Sequence, residues 1–397
     1  SVFPKAGEFP GLAVIQDTCK VASGSGLSLE IIHDRDRFLT LEPFWDALLE
    51  RSAVRTPFMR WDWIRLWLEE CEEPVELAVA VARDSEGAPL AIAPLVLGRT
   101  GEGWRGRLRQ LTFAGCIGRV DSEGVDFIIP SGQEGVLAPV LCKVFRLLGN
   151  RWDVVHLPMM HEESVSLPHV IAALDSCALG VVRMNRQASR FIRLPATWEE
   201  LEQSHGGNWR SNHRRKWRKM QESFGGRPLK GGKDLDGGVA FDALLHLHGK
   251  RWTIDESAFL WPGVERFHKR LVEKWLPRGR VVIPLLELDG KPGAVSYIFN
   301  DFGKFWFYQS GWNEEYSTIS VGKMATAWNV QCAIESGIRE FDFLPGEYAY
   351  KQEWSNDVRF VEDVEAFQPW SLRAWVFRGL RACKRRMAAR AAVKAAE

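Results

Sequence analysis

Along this chain the apolar positions change period again and again. Alternation or short unbroken runs give way to recurrence every three to four residues, which predicts strands interleaved with amphipathic helices. A first strand over 27–32 leads to a helix over 37–52, where Phe38, Leu41, Phe44, Trp45 and Leu48 share one face. Thr56-Pro57-Phe58 precedes a second helix over 61–71. Strands over 75–83, 89–97, 108–114 and 124–129 follow, then a helix over 133–148, a strand over 152–157 and a helix over 166–179. This alternation up to about residue 194 is the signature of an α/β layer fold.

The second half opens differently. A helix beginning at Trp198 is broken by Gly206-Gly207, and a second helix over 208–223 carries Arg210, Arg214, Arg215, Lys216, Arg218 and Lys219. A Gly- and Lys-rich loop over 225–238 leads to helices over 241–252 and 263–275. Three strands, 280–288, 293–300 and 304–311, then form a meander through Asp289-Gly290 and Asp301-Phe302-Gly303. After a polar loop comes a helix over 321–336, with Val321, Met324, Ala325, Trp328, Cys332 and Ala333 on an apolar face and Gly337 as its stop. A strand over 338–344 runs into Pro345-Gly346, and a last strand falls within 358–367. From 371 to 397 a basic helix repeats Leu372, Trp375, Val376, Leu380, Cys383 and Met387 at helical spacing. Such a helix can lie in the headgroup layer of an anionic membrane or pack on its own domain.

Chemistry concentrates between strand and helix at Ser320-Val321-Gly322-Lys323. Ser320 stands where an N-cap belongs, and the turn offers free backbone N–H groups, a position with no side chain, and a cation at the positive end of a helix dipole. That combination suits a phosphate, and composition alone favours an ordinary capped helix. It lacks the upstream Gly of a Walker loop and the Ser/Thr after the Lys. Gly101, Gly103 and Gly106 spell G-x-G-x-x-G, but a strand pattern follows them instead of a helix, so a hairpin connection is expected. Asp34 and Asp36 stand at a helix start, where capping accounts for them. His246 and His248, two apart on a helix, project to different faces and cannot share a metal. No metal is expected.

Charge narrows the reading further. With 52 Lys plus Arg against 51 Asp plus Glu the formal charge is +1, so nucleic acid is not an expected partner. Seven Cys lie scattered with no CxxC pair, no apolar run is long enough to span a bilayer, and the opening residues lack the pattern of a secretory signal. A cytoplasmic location follows, extended to the inner membrane face if the C-terminal helix docks there. Eighteen Trp suit both a core and a surface for acyl, sugar or pantetheine groups.

Three segments carry a family likeness: Gly311-Trp312 through Ser320-Val321-Gly322, the strand Phe341-Asp342-Phe343-Leu344 with Gly346, and Tyr350-Lys351 followed by Trp354. They resemble the CelD-like branch of the GNAT acetyltransferases, which is associated with cellulose and exopolysaccharide synthesis. Thr56-Pro57-Phe58, the 198–225 segment, and Leu247-His248 with Arg251-Trp252 also fit. Val321 departs from the branch, which commonly has Pro there.

The resemblance implies an α/β (α+β) protein of two tandem GNAT-like domains, each a mixed, mostly antiparallel sheet flanked by helices. It places an irregular lead-in at 1–26, a domain that does not bind CoA at 27–195, a catalytic domain at 196–370 and the basic helix at 371–397. Acetyl-CoA would be the acyl donor. Ser320, Val321, Gly322 and Lys323 would take its pyrophosphate, and the backbone of Phe307, Tyr308 and Gln309 would pair with the pantetheine arm. Tyr350 would protonate the leaving sulfur, with Tyr348 as its rival. Lys351, which also resembles a Lys of the Fem-type peptidyltransferases, would anchor the acceptor or stabilise charge, or else tie its helix to Asp342. Asp342, Glu347 or a water relay would act as base. His248, Arg251 and Trp252, with Arg214 and Arg215 of the basic helix, are the candidate acceptor contacts.

The implied reaction is transfer of an acetyl group to an amine of a saccharide or envelope precursor. Two other readings stand beside it. One is a Fem-like transferase using aminoacyl-tRNA or an acidic acyl carrier protein, and the other is a non-catalytic scaffold at a membrane-bound polysaccharide synthase.

Overall fold

The computed structural model describes residues 18–21, 27–99, 108–177 and 180–381. Its first half runs β1 (Thr18–Val21), β2 (Leu27–Ile32), α1 (Arg35–Leu39), α2 (Glu42–Glu50), α3 (Trp61–Glu70), β3 (Glu76–Leu77), β4 (Val79–Arg83), β5 (Pro89–Ala93), β6 (Leu95–Gly98), β7 (Gln110–Phe113), α4 (Leu137–Leu148), β8 (Val154–His161), α5 (Leu167–Ser176) and β9 (Val181–Arg193). Pro94, which has no N–H to give a ladder, splits the apolar run over 89–97 into β5 and β6. The two pieces belong to different sheets, β5 to a four-stranded sheet ordered β1-β2-β4-β5 and β6 to a twelve-stranded one. The expected strand over 124–129 is reduced to a single bridge, Ile92 with Ile128, inside a long loop. The glycine motif at 101–106 lies outside the described residues.

The second half continues with α6 (Trp198–Ser204), α7 (Gly207–Phe224), β10 (Arg227–Lys230), α8 (Gly237–Gly249), α9 (Pro262–Trp275), β11 (Val281–Val282), β12 (Pro284–Leu288), β13 (Lys291–Asp301), β14 (Lys304–Trp312), α10 (Val321–Glu335), β15 (Glu340–Pro345), α11 (Ala349–Trp354) and β16 (Asp357–Phe367). The segment read as a Gly- and Lys-rich loop contains β10, which pairs with β12 through Leu229 and its neighbours. The large sheet follows the order β10-β12-β13-β14-β15-β9-β16-β8-β7-β6-β3, with β11 beside β13. It is antiparallel except at two joints, β7 with β8 and β14 with β15.

The middle of that order joins the halves. β16, from the far end of the chain, lies antiparallel between β8 and β9, and β9 in turn lies between β16 and β15. Each half thus supplies a strand that completes the sheet of the other. A buried ion pair reinforces the seam. The Arg60 guanidinium, 2% exposed, donates to both Asp301 oxygens at 2.7 and 2.6 Å, and Glu50 also accepts from it at 2.6 Å. Removing one partner of such a pair leaves a desolvated charge. Asp301→Ala should therefore destabilise the protein by about 3 kcal/mol, measured as a shift in the denaturant midpoint.

The apolar core runs across the seam, with Trp45, Trp63, Trp67, Trp152 and Trp275 fully buried. The beginning of the C-terminal helix, 372–381, packs Ala374 and Phe377 on Leu108, Val154 and Phe367, while Trp370, Leu372 and Trp375 stand exposed. No helix among the described residues is long and apolar enough to cross a membrane.

Candidate active site

β14 and β15 start as a parallel pair and then part. Their register holds from Lys304 opposite Glu340 to Trp306 opposite Asp342, and beyond it the strands splay. Two local features open the wedge. On β14, Tyr297 faces Gln309 and Ile298 faces Phe307, so Tyr308 is the extra residue of a bulge. On β15, Leu344 takes φ +62° and Gly346 φ +110°, which turns the strand end outward. Lys351, 4% exposed, fastens that end by donating from Nζ to the carbonyls of Leu344 (2.9 Å) and Pro345 (2.8 Å). The wedge is the floor of a cavity of about 710 Å³ walled by Phe307, Phe343 and Tyr350.

The start of α10 closes one end. Ser320 holds a left-handed conformation (φ 53°, ψ 54°), and the first turn bond is Lys323 N to Ser320 O at 2.8 Å, leaving the amides of Val321 and Gly322 ahead of it. A Cβ added at Gly322 would stand 3.3 Å from the Trp312 ring, so this position has little room to spare. Ser320 is the N-cap residue of α10, but its side chain makes no cap bond. Ser320 Oγ accepts instead from Lys216 Nζ of α7 at 2.6 Å, because the left-handed turn points the hydroxyl away from the helix amides. Lys323 lines the cavity beside Val321 and Gly322 and pairs with Glu353 at 2.5 Å, while a second cation, Lys216, reaches the turn from α7. Burial, and then the charges of Lys323 and Arg215, hold the Lys216 ammonium below its usual range. A second cluster of negative charge would relieve that crowding.

At the other end stand His248, Arg251 and Trp252, which line the same cavity. Gly311 explains their approach, because a Cβ there would fall 2.8 Å from Leu247 Cβ and 2.9 Å from His248 N. His248 is fixed between Ser257 Oγ (2.8 Å) and the Ser310 carbonyl (3.3 Å), and burial lowers its pKa, which keeps it neutral. Arg251 stacks on Trp312 at 4.4 Å.

Arg214, Arg215, Asp342 and Glu347 are not in the cavity lining. Arg214 pairs with Glu202 at 2.6 Å and Arg215 with Asn212 at 3.0 Å; both are exposed, and neither lines the cavity, because the inward stripe of α7 is His213, Trp217 and Met220. Asp342 is fully buried behind the wedge, where Oδ1 accepts from Leu344 N and Ser189 Oγ. Glu347 faces solvent near Arg190. The proposed tie from Lys351 to Asp342 is replaced by its two carbonyl bonds. Tyr350 lines the cavity beside Phe343, and burial raises its hydroxyl pKa, so it stays protonated. Tyr348 also lines the cavity but is 57% exposed.

Two acids that the sequence reading does not single out also line the cavity: Glu256, which accepts from Thr253, and Glu123. Glu123 comes from the first half, on the loop after β7, and its Oε2 is buried with no partner. Tyr308 holds the loop in place, its hydroxyl donating to the Asp121 carbonyl at 3.1 Å. Burial, then the charge of Asp121, push the Glu123 carboxyl up, and Lys351 opposes them. Burial in turn pushes Lys351 down. The result is a carboxyl and an ammonium whose proton affinities approach each other, an arrangement suited to moving protons near neutrality. Among the described residues no group of His, Cys, Asp and Glu is placed to hold a metal ion.

Residues 207–352 match the model of the acetyltransferase (GNAT) domain. The match begins on α7, includes the wedge and the α10 turn, and ends one residue after Lys351; Glu123 lies outside it. Among solved structures the chain is similar to FemX (TM-score 0.57, 10% identity, covering 85% of this chain and 97% of that one). It is also similar to a conserved protein of unknown function from Bacteroides thetaiotaomicron VPI-5482 (TM-score 0.53, 10% identity, 85% and 99%). Comparison with curated proteins by sequence finds no match. The chain thus has a GNAT-type α/β fold, and residues 207–352 are its GNAT-type acyltransferase domain.

Proposed function

We propose that the protein transfers an acetyl group from acetyl-CoA to a primary amine, with an amino sugar or related exopolysaccharide or envelope precursor as the acceptor class. The observation that carries this reading is the wedge. Past Trp306 the β14 edge has no β15 partner, and the open edge leads from a helix N-terminus beside Lys216 to Glu123, whose Oε2 is unpaired.

The residues fit the donor. Val321 and Gly322 amides, with Lys323 in the lining and Lys216 on Ser320, suit a pyrophosphate, the bulged backbone at Tyr308 offers hydrogen bonds to an amide-bearing arm, and Phe307 and Phe343 give it apolar walls. Attack of the amine on the thioester carbon forms the C–N bond and breaks C–S. Glu123 accepts the proton from nitrogen, and Tyr350 supplies one to the sulfur. Lys351 holds the wedge open and tempers the proton affinity of Glu123.

Calorimetric titration with acetyl-CoA, followed by thiol release across amino sugars and sugar nucleotides, tests the assignment. Lys216→Met should raise the acetyl-CoA Kd by about 10- to 100-fold, the range of one charge-assisted contact. A wild-type protein that does not bind acetyl-CoA would overturn the reading.

A further inference from the structure

A second cavity, of about 270 Å³, lies at the seam between the halves. Arg55 and Thr56 line it from the segment after α2, His161 from the end of β8, Lys304 from the start of β14, and Arg359 from β16. It adjoins the donor cavity. Gly124, the residue after Glu123, is so close to the second cavity that an added Cβ would stand 2.8 Å from His161 Nε2 and 3.3 Å from Thr56 Cγ2. On β14, Trp306 lines the second cavity and Phe307 the first.

Its polar groups are incomplete. Thr56 is 1% exposed and its hydroxyl has no partner; His161 Nδ1 and Arg359 Nε are likewise buried without one. Unpaired polar atoms are costly singly, and three in one small lining point to something that binds there. Charge indicates what. Arg55, Lys304 and Arg359 face a single lining acid, Glu163, although behind them Glu340 contacts both Lys304 (2.9 Å) and Arg359, and Asp342 lies 3.7 Å from Arg359. His161 adds no charge, since burial and the neighbouring Arg359 and Lys304 bring its pKa down to about 4.

We propose that this cavity is an anion subsite that binds the phosphate or carboxylate of the amine acceptor and directs its amine past Gly124 toward Glu123. The subsite rests on the transferase reading for its purpose, but its binding is measurable separately. It is smaller than the roughly 300–1,000 Å³ of a whole ligand site, as befits one end of a molecule whose other end lies in the first cavity.

Inorganic phosphate is the first probe and acetate the second, distinguishing the two anions. Each is titrated into CoA-saturated wild type and into Lys216→Met, so that the α10 turn is either filled or disabled. One site should remain in both, seen by ³¹P or ¹³C line broadening. Adding Arg55→Ala with Lys304→Met should weaken it at least about tenfold, as loss of charged contacts does. Thr56→Val, which keeps shape and drops the unpaired hydroxyl, should weaken it by a smaller factor while the fold stays intact. Absence of the remaining site, or equal binding by the folded double variant, overturns the proposal. Failure of acetyl-CoA to bind overturns the transferase reading and leaves the anion result standing by itself.

Discussion

Glu123→Gln is expected to lower kcat by about 10²- to 10⁴-fold, the usual contribution of a positioned general base, with the acetyl-CoA Kd unchanged. The substitution keeps the size of the side chain and removes only its ability to take a proton. The pH profile separates this role from a structural one. Burial and Asp121 raise the Glu123 pKa, so its protonated, inactive form persists above the normal carboxylate range. Wild-type kcat/KM should therefore climb with pH near neutrality, and the variant should lose that limb. Stability should move the other way. A carboxyl that holds its proton more tightly in the folded state makes the fold less stable as pH rises from its unfolded pKa to its folded one. Glu123→Gln removes this loss and should be at least as stable as wild type at alkaline pH, by thermal melts. Unchanged turnover in the variant would exclude Glu123 as the base.

That this acid escapes a reading of the sequence has a physical cause. The α10 turn, β14, β15 and α11 follow one another within about fifty residues, so period, Gly and Pro positions and local polarity define them. Glu123 sits in a stretch with neither helical nor strand period, and its place in the cavity depends on Tyr308, distant in sequence, holding Asp121. The exchange of β9 and β16 is equally non-local. Strand patterns predict strands but not which neighbours they take, and here each half borrows one from the other.

The basic helix teaches a related lesson. Its charge count singled out Arg214 and Arg215, but the way α7 docks decides which cation meets Ser320 at the α10 turn. His213, Trp217 and Met220 recur at helical spacing, and Lys216 borders that stripe, so the period held a signal that the charge run hid. Ser320 stands at the N-cap position, but its side chain does not cap. Its residue type suits a cap, but a left-handed backbone and a lysine from another helix redirect it. Such strain is found where a backbone is shaped for a ligand.

Lys351→Met is expected to act on stability and on chemistry at once, and the two effects are separable. The stem keeps its length, but the carbonyls of Leu344 and Pro345 lose their donor. Stability should fall by about 1–3 kcal/mol in denaturant melts, the cost of leaving buried acceptors unsatisfied, moderated because a desolvated charge is also removed. The chemical effect follows from sign. Lys351 opposes the burial that raises Glu123, so without it Glu123 holds its proton to still higher pH. The acid limb of kcat/KM should move upward in pH, and the rate at neutral pH should drop, with little change far on the alkaline side. A lysine that only braced the end of β15 would lower the melting temperature and leave the limb where it was. A folded variant with wild-type turnover and an unmoved limb would remove Lys351 from the mechanism and confine it to shaping the wedge.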